Sequence, residues 1–157
     1  GIGLDNLMHF YRKNHNEEEK QLLQAFITHT QLHNHLSYPY IFGGSPLLLK
    51  LFTKNVYHGL TVTCPGFYGP QGRVLRMGLA LPNLNDSLTS FSFGQHRITN
   101  FEMETAAIYG LGKMLGHHCL SLSAIVANRV NRSFSSNSEV AVKKLIEHTL
   151  SVVSENV

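Results

Sequence analysis

Arg97-Ile98-Thr99-Asn100-Phe101-Glu102-Met103-Glu104-Thr105-Ala106-Ala107 carries a strand-like segment straight into a helix start. Asn100 suits an N-cap through its side-chain oxygen, and Glu102 and Glu104 suit the positive end of the helix dipole. The spacing predicts a helix from Asn100 to about Leu115, stopped by Gly116. On composition alone this is a well-capped helix start. The same turn also offers a chemistry. A carboxylate accepts two hydrogen bonds at once, which fits the vicinal hydroxyls of a ribose, and a Met beside it gives the sugar or base a soft apolar surface.

Outward from this junction, strand and helix signals alternate. Ile2 to Met8, Ile41-Phe42, Leu60 to Cys64 and Val74 to Leu81 read as strands. Leu120 to Ala127 is the most strand-like run, apolar enough to be buried on both faces. Glu17 to Thr30 reads as a helix with acids in its first turn and Leu22, Leu23, Phe26 and Ile27 on one face. Ser45-Pro46 makes an N-cap and first residue for a helix over Leu47 to Lys54. Ser138 to Val153 closes the chain as a helix with Val142, Leu145, Ile146, Thr149 and Val153 inward. Such alternation implies a single α/β domain over residues 1–157, layered around a largely buried sheet.

Phe67-Tyr68-Gly69-Pro70-Gln71-Gly72-Arg73 follows the strand-like Leu60 to Cys64. Gln71 presents a donor and an acceptor side by side, and Arg73 several donors with a fixed charge. Uracil shows acceptor, donor and acceptor along one edge, which this pair can match while Phe67 packs on the ring. The duller reading is a Gly-Pro turn with a solvated Gln and Arg.

The net charge of +3, with Lys and Arg scattered, gives no argument for nucleic acid as a partner. No apolar run has the length of a membrane helix, the first residues show no signal-peptide pattern, and the chain reads as cytoplasmic. Cys64 and Cys119 fall in apolar runs, where free buried thiols are expected. Ten histidines include His29, His33 and His35 near one helix end and His117-His118 before a strand. His29 and His33 could share a helix face, but no Glu follows the first His in the metalloprotease manner and no Cys lies nearby, while adjacent histidines entering a strand point to opposite faces, so no metal is expected.

Phe67 to Arg73, Asn100-Phe101-Glu102-Met103-Glu104 and Ala124-Ile125-Val126-Ala127-Asn128-Arg129, with the weaker Leu4-Asp5-Asn6-Leu7-Met8-His9-Phe10, together resemble the nucleoside phosphorylase family, and within it the uridine phosphorylases. The resemblance covers most of the chain. It implies a layered α/β/α phosphorylase-like fold and phosphorolysis of a pyrimidine nucleoside such as uridine. Inorganic phosphate would be the co-substrate, with no cofactor, and the assembly a homo-oligomer.

Carried onto these residues, the resemblance implies that Gln71 and Arg73 bind the pyrimidine edge and that Arg73 stabilises the departing anion. Phe67, Val126 and Ala127 become apolar walls, and Arg129 supports Arg73 or orders water. Glu104 holds the ribose hydroxyls, Met103 packs on the sugar, and Glu102 either touches the ribose or orders the helix start. Purine-cleaving relatives carry an Asp near Asn128; an amide cannot serve as that acid, which favours pyrimidines. Family members are longer, with an upstream half that supplies the glycine-rich loop and phosphate-binding arginines. The expectation is therefore a C-terminal portion with an incomplete central sheet and no phosphate-binding residue of its own. The other readings left open are a non-catalytic nucleoside-binding fragment, a pseudoenzyme acting through oligomer contacts, and a purine phosphorylase or nucleosidase relative.

Overall fold

The computed structural model describes residues 1–11, 14–128 and 130–156. In chain order its regular elements are β1 (Ile2–Gly3), α1 (Glu17–Thr30), β2 (Tyr40–Ile41), α2 (Pro46–Leu51), β3 (Leu60–Thr63), α3 (Leu84–Thr89), β4 (Ser92–Phe93), β5 (His96–Glu102), α4 (Thr105–Met114), β6 (Ala127–Asn128), β7 (Ser133–Phe134) and α5 (Ser138–Asn156). Five strands form one open sheet in the order β2-β1-β3-β5-β4. Its centre is parallel: Ile2 pairs with Val62 and Gly3 with Thr63, while Val62 pairs with Phe101 and Thr63 with Glu102. The outer strands β2 and β4 run antiparallel to their neighbours.

Side-chain alternation along β3 divides the molecule into layers. Leu60, Val62 and the following Cys64 join Ile2, Leu22, Phe26, Leu84 and Leu88 in a core that seats α1 and α3 on one face. Thr63 points the other way, toward α4, where its hydroxyl accepts the buried Ala106 N–H at 2.9 Å. A second core of Met8, Tyr40, Phe42, Ala106 and Tyr109 lies on that face. Gly3 is required there, because a Cβ would come within 2.1 Å of the Tyr40 ring. The register slips beside Leu60 and Thr61, whose partners are Ile98 and Asn100, leaving Thr99 as the extra residue of a bulge. The bulge lets Ile98 and Phe101 both pack on the first core and turns Glu102 toward α4.

Local chemistry explains the helices. Asn16 caps α1 by accepting from Glu19 N at 2.8 Å, and the Glu19 carboxylate accepts from Asn16 N at 3.0 Å, a complete capping box. Ser45 caps α2, with Pro46 in its first turn. Gly116, at a φ of 76°, ends α4 as expected. No described helix is long and apolar enough to cross a membrane.

Several expected elements differ. The strand over Ile2 to Met8 stops at Gly3, because Asp5 accepts from Leu7 N at 2.7 Å and starts a single 3-10 turn. The helix expected from Asn100 begins only at Thr105: Asn100 lies within β5, opposite Thr61. Val74 to Leu81 is no strand; Val74, Leu75 and Met77 are exposed and Gly78 interrupts the run. Residues 120–126 are irregular, and only Ala127 and Asn128 pair, with Phe134 and Ser133. The α5 helix forms, yet none of its described residues is buried, and Val142, Ile146 and Val153, expected inward, are 43%, 54% and 39% exposed. Cys64 is a buried free thiol and Cys119 a partly buried one.

Candidate functional site

The parallel centre of the sheet sets where a site can form, because the loops after β3 and β5 leave at the same end. In open α/β sheets ligands bind outside the carboxyl ends of the strands. Pairing of Thr63 with Glu102, closed by the Cys64 N–H donating to Glu102 O at 2.8 Å, sets the two loops side by side. The first two sequence motifs occupy those two loops.

After β3 the chain turns through Gly69–Gln71 as one 3-10 turn, which Gly72 ends at a φ of 73°. Gln71 is buried at 3% exposure, whereas half of Phe67 and more of Tyr68 remain open. The Arg73 guanidinium lies 3.5 Å from the Phe67 ring centroid, a close cation–π stack. It donates to the Phe67 carbonyl and, at 3.0 Å, to Gln71 Oε1. Gln71 and Arg73 are therefore already assembled as a pair, with one face of Phe67 covered by the guanidinium. Beside them opens an apolar cleft of about 820 Å³, walled by Leu4, Tyr68, Arg73, Met77 and Leu81 among others. The run misread as a strand, Val74 to Leu81, supplies much of that wall.

After β5 the two carboxylates part company. Glu102 is spent internally: Oε1 accepts from the Thr63 hydroxyl at 2.5 Å, and Oε2 accepts from Glu104 N at 2.7 Å and Thr105 N at 2.6 Å. It does from the strand end what Asn100 was expected to do from a cap position. Glu104 sits at the N-cap position of α4 without a side-chain cap bond, and both it and Met103 are exposed. One Glu104 oxygen accepts only the adjacent Met103 N–H at 3.2 Å. Sequence reasoning missed Thr63; a hydroxyl at the end of β3 was the available signal, and only the sheet register sets it opposite Glu102.

The third motif approaches by another route. Asn100 Nδ2 donates to Ser123 Oγ at 3.1 Å, Thr105 Oγ1 to Ser121 Oγ at 3.2 Å, and Ser121 N to the Tyr109 hydroxyl at 2.8 Å. Burial pushes the Tyr109 phenol up, opposed in part by that Ser121 N–H. Val126 then lines a shallow groove against Ser138, Val142 and Ile146 of α5, and not the cleft beside Arg73. Ala127 is partly buried in the β6–β7 pair, and Asn128 Oδ1 accepts from Asn131 N at 3.0 Å. Arg129 lies outside the described residues.

Three of the histidines weighed as ligands or at helix ends have ordinary neighbours. His29 Nε2 contacts Ser87 O and Ser90 Oγ at 3.1 Å each, His33 packs edge-on against Tyr38, and His118 Nδ1 lies 2.9 Å from Ser45 Oγ. Among the described residues no three His, Cys, Asp or Glu side chains converge to hold a metal ion.

Comparison with known proteins bears on the fold. No protein-family model matches the chain. A uridine phosphorylase from Thermococcus kodakarensis is 32% identical over 106 residues, which cover 63% of this chain and 35% of that enzyme. The crystal structure of a Trypanosoma brucei nucleoside phosphorylase, described as showing uridine phosphorylase activity, matches with a TM-score of 0.84 at 24% identity, over 98% of this chain and 55% of that one. The chain thus resembles nucleoside phosphorylases in sequence and in fold. Its α/β layers are those of a nucleoside phosphorylase fold, of which it spans about half, and it spans about a third of the curated relative.

Proposed function

We propose that this phosphorylase-like chain carries the base and ribose contacts of a uridine phosphorylase-type pentosyltransferase. The observation that supports the reading most directly is that the loop carrying the Gln71–Arg73 pair and the turn carrying Met103 and Glu104 leave the carboxyl ends of neighbouring parallel strands. In the proposed reaction a phosphate oxygen bonds to C1′ of uridine as the C1′–N1 bond breaks. The bonding pair leaves with uracil, which then takes a proton, and the sugar becomes ribose 1-phosphate.

Arg73 and Gln71 would hold the pyrimidine edge, and Arg73 would stabilise the charge that develops on the departing base; one preset donor of this kind is worth about 3 kcal/mol. Glu104 would accept from the ribose hydroxyls, with Met103 against the sugar and Phe67 against the base. Val126, Ala127 and Arg129 would complete the wall only if the third motif closes over the base. Asn128 has no acidic proton to give, so the reading favours pyrimidines over purines. No cofactor enters. Phosphate binding is assigned to the part of the fold that this chain does not span, and the protein is read as cytoplasmic.

Calorimetric titration with uridine, with and without phosphate, tests the reading when run beside an assay for released uracil. Saturable uridine binding without release is the expected result for the chain alone. Absence of uridine binding in both buffers would overturn the assignment.

The reading includes self-association. Val142, Ile146, Leu150 and Val153 form one stripe along α5 and are all exposed, an apolar face of the kind that marks interfaces. The chain is expected to run above its 17.6 kDa monomer mass in light scattering, and Ile146→Lys to shift it toward monomer. Monomeric behaviour at every concentration would remove this element of the proposal.

A further inference from the structure

We infer that Thr63 and Glu102 form a positioning lock for ribose recognition, in which Thr63 governs how Met103 and Glu104 face the nucleoside without touching it. The inference rests on the proposed nucleoside reading and adds a residue to it. Thr63 is completely buried, so no ligand reaches it. Its hydroxyl has one proton and two lone pairs, and both roles are used. The proton goes to Glu102 Oε1 at 2.5 Å, and a lone pair receives the Ala106 N–H at 2.9 Å.

Through Glu102 the hold extends to the turn that matters. The second carboxylate oxygen receives Glu104 N at 2.7 Å and Thr105 N at 2.6 Å. Three successive backbone N–H groups, those of Glu104, Thr105 and Ala106, are thus fixed by two side chains on neighbouring strands. These are donors that a helix start otherwise leaves unpaired. Because Glu102 supplies the cap, the Glu104 carboxylate makes no side-chain cap bond to α4 and stays exposed. A site side chain is only as well aimed as the shell that supports it, and a shift of 1 Å can cost about 100-fold.

The test compares uridine with uracil, which shares the base edge but has no ribose. Thr63→Val and Glu102→Ala are expected to lower uridine affinity about tenfold while leaving uracil affinity unchanged, and Thr63→Ser to restore it. Glu102→Gln should lose less than Glu102→Ala, since an amide oxygen still accepts from Glu104 and Thr105 and the amide N–H still reaches Thr63. Equal losses for uridine and uracil would reduce the lock to general stability. A Glu102→Gln variant as weak as Glu102→Ala would mean that the Glu102 charge meets the ribose itself.

Hydrogen exchange at the Glu104, Thr105 and Ala106 amides reads the lock without ligand. Exchange should quicken in Glu102→Ala and Thr63→Val and stay slow in Thr63→Ser; unaltered exchange overturns the lock even where uridine still binds. Quickened exchange in a protein whose parent form binds no uridine overturns the nucleoside reading instead, and the ligand role of Thr63 with it.

Discussion

Glu19→Ala is expected to lower the unfolding free energy by about 3 kcal/mol, seen as an earlier urea midpoint at unchanged slope. Glu19 is 7% exposed and ties three parts of the fold together. Its Oε1 accepts from Gly43 N at 2.9 Å beyond β2, and Oε2 accepts from Asn16 N at the start of α1. Lys113 Nζ, in the last turn of α4, reaches the same Oε2 at 2.8 Å across 94 residues. Alanine leaves two backbone donors and a half-buried ammonium without their acceptor, which is the costly way to break such a pair. Lys113→Met should cost less, because Lys113 is partly exposed and Glu19 keeps both backbone donors.

The same contacts fix the sign of the pH dependence. Burial alone would raise the Glu19 carboxyl, but the hydrogen bonds from Lys113, Gly43 and Asn16, with the Lys113 charge, hold it below its ordinary 4.5. A folded value below the unfolded one means the unfolded chain takes this proton first. Its stabilisation is complete above about pH 4.5 and is lost as pH falls through the lower folded value. The difference in stability between the parent chain and Glu19→Ala should therefore shrink in acid. An unfolding free energy for Glu19→Ala within about 1 kcal/mol of the parent at neutral pH would remove the network from the account.

The sequence was most legible where the signal is local. First-turn acids followed by an apolar stripe place α1 at Glu17–Thr30, and the Asn16–Glu19 capping box closes its start. Ser45-Pro46 does the same for the start of α2. Misreadings arose where two structures satisfy one pattern. Acids beside a helix dipole look alike whether they sit in the first turn or end the preceding strand, and only the bulge at Thr99 decides that Glu102 is still strand. The apolar run 120–126 reads as a doubly buried strand, but burial on both faces depends on neighbours that periodicity cannot supply. Within the described residues this run is held largely by side-chain bonds from Asn100, Thr105 and Tyr109. The stripe on α5 is equally real as a pattern and equally uncovered.

For the candidate site, the first two motifs fall at the same end of two paired parallel strands, a neighbourhood that the sheet supplies and the residue string does not. What the residue string could not separate is the work of two acids two positions apart. Alternation past the bulge sends Glu102 back toward Thr63 and α4, leaving Glu104 with Met103 at the open side. One acid builds the turn so that the other can be exposed on it.

That division predicts unlike losses from two substitutions. Glu104→Ala should weaken uridine about 100-fold and leave uracil alone, since only the ribose is lost as a partner. Arg73→Ala should weaken uridine and uracil together by a similar factor, because the base edge is common to both. Its loss also strips the buried Gln71 of a donor and bares the Phe67 ring, so the Gln71 carboxamide is free to turn. Arg73→Lys separates charge from shape: an ammonium keeps the charge over Phe67 but not the planar fork that binds Gln71 and a carbonyl at once, and it should recover only part of the affinity. His33→Ala, which removes a ring packed on Tyr38, should bind both ligands as the parent does. Isothermal titration with the two ligands across these four proteins decides the matter. Unchanged uridine binding in both alanine variants at the site would take Arg73 and Glu104 out of it. Loss of uracil in Glu104→Ala would mean that the acid shapes the base pocket instead of the sugar contact.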